Sequence, residues 1–329
     1  MAVAGYLPEW RYLQWTPDEH KWRWDALSEH VTHLIIFSIE VGADGSFEAM
    51  DRFPPKQTMR TAVAAARKHG TKLQICFGGN SRTNGFPAMV AKKKLRAKFI
   101  KRLVKLCRRH RLDGVDYNWE YPTDAKQWAG LFKLIVETRT AFDASHDPSM
   151  VISMAYYPDK QQEALLGRAT DAVASLDYMH MMSYDQQGQH STWEFGKQAV
   201  DQGAAVLPPT KLTMGLPFYS RDVRTGEWTT YEDLVKIHAK GTLDPSVDQL
   251  GSRYFNGIDM IRRKTTYAKE QGLGGVMIWE VGQDNFMNSL KALDPETALL
   301  PVITAAIGDG ALERGTDQTP SAPKDKADL

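Results

Sequence analysis

Short apolar runs and amphipathic stretches alternate along this chain from its first residues to about residue 307. Runs at 3–7, 33–40, 72–77, 151–156, 178–184, 211–218 and 275–279 have the length of strands. They are apolar enough to be covered on both faces, as in a parallel sheet wrapped by helices. Apolar residues spaced three and four apart predict helices over 25–30, 57–69, 88–110, 124–143, 161–175, 194–206 and 258–270. A mostly helical segment follows over 288–307, with breaks at Pro295 and Pro301. One further strand, within 112–122, is acidic instead of apolar. Eight β-then-α units in succession predict a single (β/α)8 TIM barrel, an α/β fold occupying residues 1–307.

Two stretches fall outside this rhythm. Residues 222–256 form an extended loop insertion between strand seven and its helix, with a short helical piece over 231–239. A loop of that length inside a compact domain is usually functional, and this one is expected to wall one side of a cleft. The segment 308–329 is polar, bears prolines and lacks apolar anchors, which predicts a disordered tail.

Composition narrows the partners. The 329 residues carry 41 Lys and Arg against 40 Asp and Glu, a net charge of +1, so neither a nucleic-acid nor a membrane partner is expected. Lys92, Lys93, Lys94, Arg96, Lys98, Lys101 and Arg102 read as the solvated face of a helix whose Leu95, Phe99, Leu103 and Leu106 turn inward. No apolar run reaches the length of a membrane span. The two cysteines, Cys76 and Cys107, make no disulfide framework, and no N-glycosylation sequon is present. A strand pattern starting at Val3 leaves no room for a signal peptide, so the expectation is a cytosolic protein or a mature form with a new start Met. A monomer is expected. The nine histidines form no ligand-spaced cluster, and there is no phosphate-cradling Gly loop and no nucleophile elbow, so neither metal nor cofactor is predicted.

The candidate chemistry lies on the acidic strand. In Leu112-Asp113-Gly114-Val115-Asp116-Tyr117-Asn118-Trp119-Glu120-Tyr121-Pro122, the side chains of Asp116, Asn118 and Glu120 fall on one face because the period of a strand is two. Two acids and an amide side by side make poor packing, since buried carboxylates are costly unless paired or protonated. They make sense where a raised proton affinity on one acid is useful. Glu120 belongs at the strand tip, where barrel enzymes hold their reactive groups. Flanked by Tyr117, Trp119 and Tyr121, it is expected to be partly desolvated and protonated near neutral pH, ready to act as a general acid.

That run resembles the D-x-x-D-x-D-x-E signature of family 18 glycoside hydrolases, the chitinase family. Cys76-Phe77-Gly78-Gly79 resembles the family's S-x-G-G motif, and Met182-Ser183-Tyr184-Asp185 matches M-x-Y-D. The segments 211–221 and 272–280 are similar to its seventh- and eighth-strand signatures. The resemblance implies a substrate-assisted, retaining hydrolysis of β-1,4-linked N-acetylglucosamine polymers or oligomers, with an endo-acting chitinase as the leading reading. In it Glu120 is the acid and the substrate's acetamido carbonyl is the nucleophile. Tyr184 is implied to hold the acetamido oxygen, and Asp185 to bond a sugar hydroxyl or share a proton with Glu120. Trp279 is implied to floor the sugar before the cleaved bond. Asp116 and Asn118 complete the catalytic set. Tyr6, Phe37, Gly79, Asn80, Tyr121, Met182, Tyr219 and Arg221 are implied to line the substrate site.

Three departures from the family pattern bear on activity. Asn118 stands where the family has the Asp nearest the acid, Cys76 replaces a Ser that bonds the inner Asp, and Asn80 replaces a Trp under the leaving sugar. The uncharged Asn118 predicts slower turnover and a lower proton affinity for Glu120. Two alternatives follow: an endo-β-N-acetylglucosaminidase acting on glycoprotein glycans or peptidoglycan, and a chitin-oligosaccharide lectin on a retired barrel.

Overall fold

A computed structural model describes residues 1–145, 149–238, 243–312 and 314. Eight parallel strands close into a barrel: β1 (Ala2–Pro8), β2 (His33–Val41), β3 (Lys72–Gly78), β4 (Gly114–Asn118), β5 (Val151–Tyr156), β6 (Tyr178–Met181), β7 (Leu212–Pro217) and β8 (Gly275–Trp279). Closure comes from β1, which pairs with β8 at Ala2↔Gly275 and with β2 at Ala4↔His33. The expected TIM barrel is therefore the fold.

Each strand is buried on two sides for different reasons. Outward-facing Val3, Leu34, Ile36, Ile75, Val115 and Ile278 pack under the helices in one large apolar core. Inward-facing Ala4, Tyr6, Ile35, Phe37, Cys76 and Met277 form a second, smaller cluster inside the barrel. Polar groups share that interior: Gln74, Asp116, Ser153, His180 and Thr213 are completely buried. Local signals set the helix ends. Thr16 and Glu19 form a reciprocal capping box at the start of Pro17–His30, and Gly70, at φ 68°, stops Lys56–His69 in the left-handed conformation a glycine adopts at little cost.

Several boundaries differ from the sequence pattern. The helix expected over 25–30 starts at Pro17, because that capping box and a proline at its first position nucleate it earlier. The helix expected over 88–110 is two, Phe86–Ala91 and Lys93–His110, separated by Lys92 in an extended conformation. Ala169 splits the 161–175 segment into Lys160–Arg168 and Thr170–Ser175. Residues 288–299 are not helical. Phe286–Met287 pairs antiparallel with Ala292–Leu293, and only Leu300–Ile307 is α-helix. The buried Asp284 carboxylate imposes this, accepting backbone N–H bonds from Asn285, Leu299 and Leu300 at 2.8, 2.8 and 2.9 Å.

The insertion after β7 is a small antiparallel sheet, ordered Trp228–Thr230, Tyr219–Asp222, Arg253–Tyr254, Gln249–Leu250, with a helical turn Tyr231–Asp233 running into a π-helix Leu234–His238. At the C-terminal end, Asp309–Ala311 makes one 3-10 turn whose Ala311 carbonyl accepts a bond from the Met1 amino group. The expected disordered tail otherwise falls on residue 313 and residues 315–329, outside the described residues. Among the described residues no helix is long and apolar enough to cross a membrane.

Candidate active site

The C-terminal ends of the strands surround a cavity of about 340 Å³. β1 and β2 supply Tyr6 and Phe37, the loop after β3 supplies Asn80 and Arg82, and β4 supplies Asn118 with Glu120 two residues beyond it. The segment after β6 contributes Met182, Tyr184 and Asp185, the insertion contributes Tyr219, Arg221 and Trp228, and β8 ends in Trp279. Peptide bonds Phe37–Ser38, Glu120–Tyr121 and Trp279–Glu280 are cis.

The acidic row is arranged vertically. Asp113 lies lowest, outside the cavity, accepting the Leu73 N–H at 2.8 Å and pairing with Arg67 at 2.9 Å. Asp116 is completely buried in the barrel, where its carboxylate accepts bonds from Tyr6 at 3.0 Å, from Ser153 at 2.7 Å and from the Cys76 thiol. Burial raises its pKa and those three donors oppose the rise. Cys76 thus occupies the place its sequence position implies, as a weak donor to the inner Asp. Asn118, also buried, donates its amide to Glu120, while its Oδ1 has no hydrogen-bond partner among the described residues.

Glu120 is pushed up to about 7. Burial is the main cause and the Asp185 charge adds to it, against the Asn118 amide and the Asn80 backbone N–H, which favour the ionised form. Two of the three neighbouring aromatics play a different part from the expected one. Tyr117 hydrogen-bonds Thr138 at 2.7 Å on the helix side, and Trp119 stacks on Phe86 with centroids 5.0 Å apart. Tyr121 alone of the three stays close enough to Glu120 to feel its charge. The bond from the Asn118 amide lowers the proton affinity of Glu120, and burial outweighs it. A pH profile follows: as pH rises through about 7, Glu120 loses its proton, and kcat/KM is expected to fall about tenfold per further pH unit. Initial rates between pH 5 and pH 9 check this, and a flat basic limb would count against the assignment.

Asp185 is fixed from one side. Its Oδ1 accepts the Tyr219 hydroxyl at 2.6 Å and forms an ion pair with the Arg221 guanidinium, whose Nε is 2.7 Å away, and His190 Nδ1 lies at 3.8 Å. Among the described residues Tyr184, buried at the cavity wall, has only the weakly accepting Met277 sulfur at 3.6 Å for its hydroxyl, which leaves that donor available to a ligand. Trp279 meets Phe37 edge-on at 4.7 Å, Tyr6 at 5.5 Å and Trp10 at 6.5 Å, so an aromatic floor lies beneath the acid. Gly79 and Tyr121 sit beside the cavity without lining it. A Cβ at Gly79, φ 104°, would come 2.3 Å from the Phe37 ring, so the glycine is what allows that ring its place.

Four lining residues had no signal in the sequence, Trp10, Arg82, Ala155 and Gln283, whereas a fifth, Trp228, lies in the insertion expected to wall the cleft. Arg82 is held by both oxygens of Glu9, at 2.7 and 3.2 Å, and by Ser38 at 3.0 Å, with its guanidinium over Phe37 and Trp10. Beneath the Asp185 loop lies Lys264, completely buried on helix Ile258–Glu270. It donates to the Ser191 carbonyl and hydroxyl at 2.9 and 2.8 Å and to Asn256 Oδ1 at 2.8 Å. One ammonium thereby ties the helix, the Asp185 loop and the end of the insertion together. Lys264→Met strands these acceptors and is expected to cost about 2–4 kcal/mol, read as a lower midpoint in chemical denaturation. An unchanged midpoint would show that the network carries no stability.

A cavity at the strand ends of a closed barrel, lined by a carboxylic acid of raised pKa, an anchored carboxylate and an aromatic floor, defines a glycosidase-type site. The chain matches the model of the glycosyl hydrolases family 18 over residues 2–284 and belongs to that family. It is 26% identical to "Probable chitinase 2" of Drosophila melanogaster, over 90% of this chain and 74% of that protein. It is 24% identical to "Chitinase 1" of Aphanocladium album, over 78% of this chain and 76% of that protein. Among solved structures, the Ostrinia furnacalis Group IV chitinase in complex with allosamidin superposes with a TM-score of 0.76 at 19% identity, covering 94% of this chain and 99% of that one. Among the described residues no group of three or more His, Cys, Asp or Glu is arranged to hold a metal ion.

Proposed function

We propose that this chitinase-type glycosidase hydrolyses β-1,4-linked N-acetylglucosamine chains with retention, using the substrate's own acetamido group as the nucleophile. The observation that carries the reading is the inequality of the two carboxyl groups in the cavity. Glu120 is poised to give a proton at about pH 7, whereas Asp185 is engaged by Tyr219 and Arg221. A two-carboxylate glycosidase needs its second acid free to attack or to activate water. Here the attacking atom is better supplied by the substrate. The Tyr184 hydroxyl then bonds the acetamido oxygen, the unpartnered Asn118 Oδ1 accepts its N–H, and Trp279 floors the ring. Glu120 protonates the departing oxygen and afterwards takes a proton from the incoming water. Endo action is supported by the small size of the insertion, four short strands and one short helical piece along one wall, which is too little to roof the cleft.

Asn118 favours a second reading, a sugar-binding barrel with little or no turnover, because it leaves a developing cation without its nearest anion. Defined N-acetylchitooligosaccharides test both. Cleavage to internal products with initial β-configuration, followed by proton NMR, supports the proposal. Binding without cleavage supports the second reading, and cleavage confined to glycoproteins or peptidoglycan moves the substrate class.

A further inference from the structure

A charge asymmetry lies hidden in the near-zero net charge. Residues 52–112 contain 18 of the 41 Lys and Arg and none of the 40 Asp and Glu, leaving 23 basic against 40 acidic residues in the rest of the chain. The fold gathers this run on one flank of the barrel, because it comprises helices Lys56–His69 and Lys93–His110 with the strand between them. Six of the basic residues are drawn off by acids from elsewhere: Arg52, Arg67, Lys68, Arg82, Arg96 and Lys98. The others are not. On Lys93–His110 the exposed Lys94, Lys101, Lys105 and Arg109 follow one another at spacings of seven, four and four, a single stripe along the helix. At 1.5 Å per residue the stripe is about 22 Å long. None of its four members has an acidic partner among the described residues. The inward face, Phe99, Ile100, Leu103 and Leu106, is buried and fixes which side the stripe presents.

We propose that this stripe is a docking surface for an acidic polysaccharide, a linear glycan bearing carboxylate or sulfate groups. Like charges at i, i+4 destabilise a helix, so Lys101, Lys105 and Arg109 in succession with no acid between them represent a cost that a polyanion would relieve. Among the described residues the exposed large apolar side chains, Trp10, Leu13, Tyr121 and Trp228 among them, all lie outside helices Lys56–His69 and Lys93–His110. The flank therefore has nothing to insert into a bilayer and no aromatic platform for unstacked bases. What it offers is regularly spaced charge on a straight, convex element, which suits an extended anionic chain. The choice of a glycan over another polyanion rests on the proposed function, and the stripe itself does not. The helix follows β3 and runs back along it, so its N-terminal end, with Lys93 and Lys94, sits at the cleft end of the barrel. A glycan held there runs from the cleft end down the flank of the barrel and does not enter the groove.

The test uses the full chain on immobilised heparin and on polygalacturonate at increasing NaCl, against the variant K94E/K101E/K105E/R109E and the milder K94Q/K101Q/K105Q/R109Q. The wild type is expected to be retained at about 50 mM salt and released steeply above it. The reversal variant should bind at least about tenfold more weakly, with a log–log salt slope shallower by about three, and the Gln variant should fall between. Hydrolysis of a short neutral oligosaccharide should be the same in all three, which separates loss of docking from loss of the catalytic reading. Equal retention of wild type and both variants overturns the proposal. So does tighter binding of wild type to phosphatidylserine vesicles or duplex DNA than to either glycan.

Discussion

Glu120→Gln is expected to lower kcat on N-acetylchitooligosaccharides by about 10²–10⁴-fold while leaving their binding nearly intact. The substitution keeps the shape of the side chain and its bonds to Asn118 and Asn80, and removes only the proton that the leaving oxygen needs. Because acid assistance matters most for a poor leaving group, the loss should be greatest for a sugar leaving group and smaller for a phenol-like fluorophore that departs without full protonation. The basic limb near pH 7 should vanish in the variant. A uniform loss across leaving groups, or retention of the limb, would assign the proton transfer to another residue.

Asn118→Asp has the opposite sign. The new carboxylate places a negative charge beside the position where a cation develops, where the native amide offers only a neutral acceptor. Charged hydrogen bonds are about twice as strong as neutral ones, and one well-aimed electrostatic group is worth about 10–10³-fold in turnover. Two effects act together on Glu120: the amide that favours its ionised form is lost and a like charge is gained. Both raise its proton affinity, so the basic limb should move above pH 7 as kcat rises. Steady-state rates across pH read both changes at once. An unchanged kcat with a shifted limb would mean that position 118 tunes the acid without stabilising the intermediate.

The sequence carried the parts of this site that depend on strand periodicity. Asp116 and Asn118 share a face because they are two residues apart on β4, and the motif ends at β6 and β8 locate Tyr184, Asp185 and Trp279. It was less informative where a partner is remote. Arg82 becomes part of the wall only because Glu9, 73 residues away, grips it, and neither residue has a pattern of its own. Lys264 sits among the inward positions of an amphipathic helix, where a lysine reads as a mismatch until Ser191 and Asn256 arrive from two other segments. The same holds for 288–299, whose apolar residues suggested a helix while the buried Asp284 carboxylate bound the backbone into turns. The basic flank was visible as a cluster of lysines, but its extent emerges only when helices 56–69 and 93–110 are seen on one side of the barrel.

In the proposed reaction the substrate's own acetamido group attacks while Glu120 supplies the proton. Its most direct test compares hydrolysis of an N-acetylchitohexaose with that of the fully deacetylated hexamer, at equal occupancy of the cleft. Cleavage of the acetylated chain, with the deacetylated one bound but slower by about 10³-fold or more, is the predicted result. Comparable rates on the two would mean that an enzyme carboxylate or a water performs the attack, and would contradict the account.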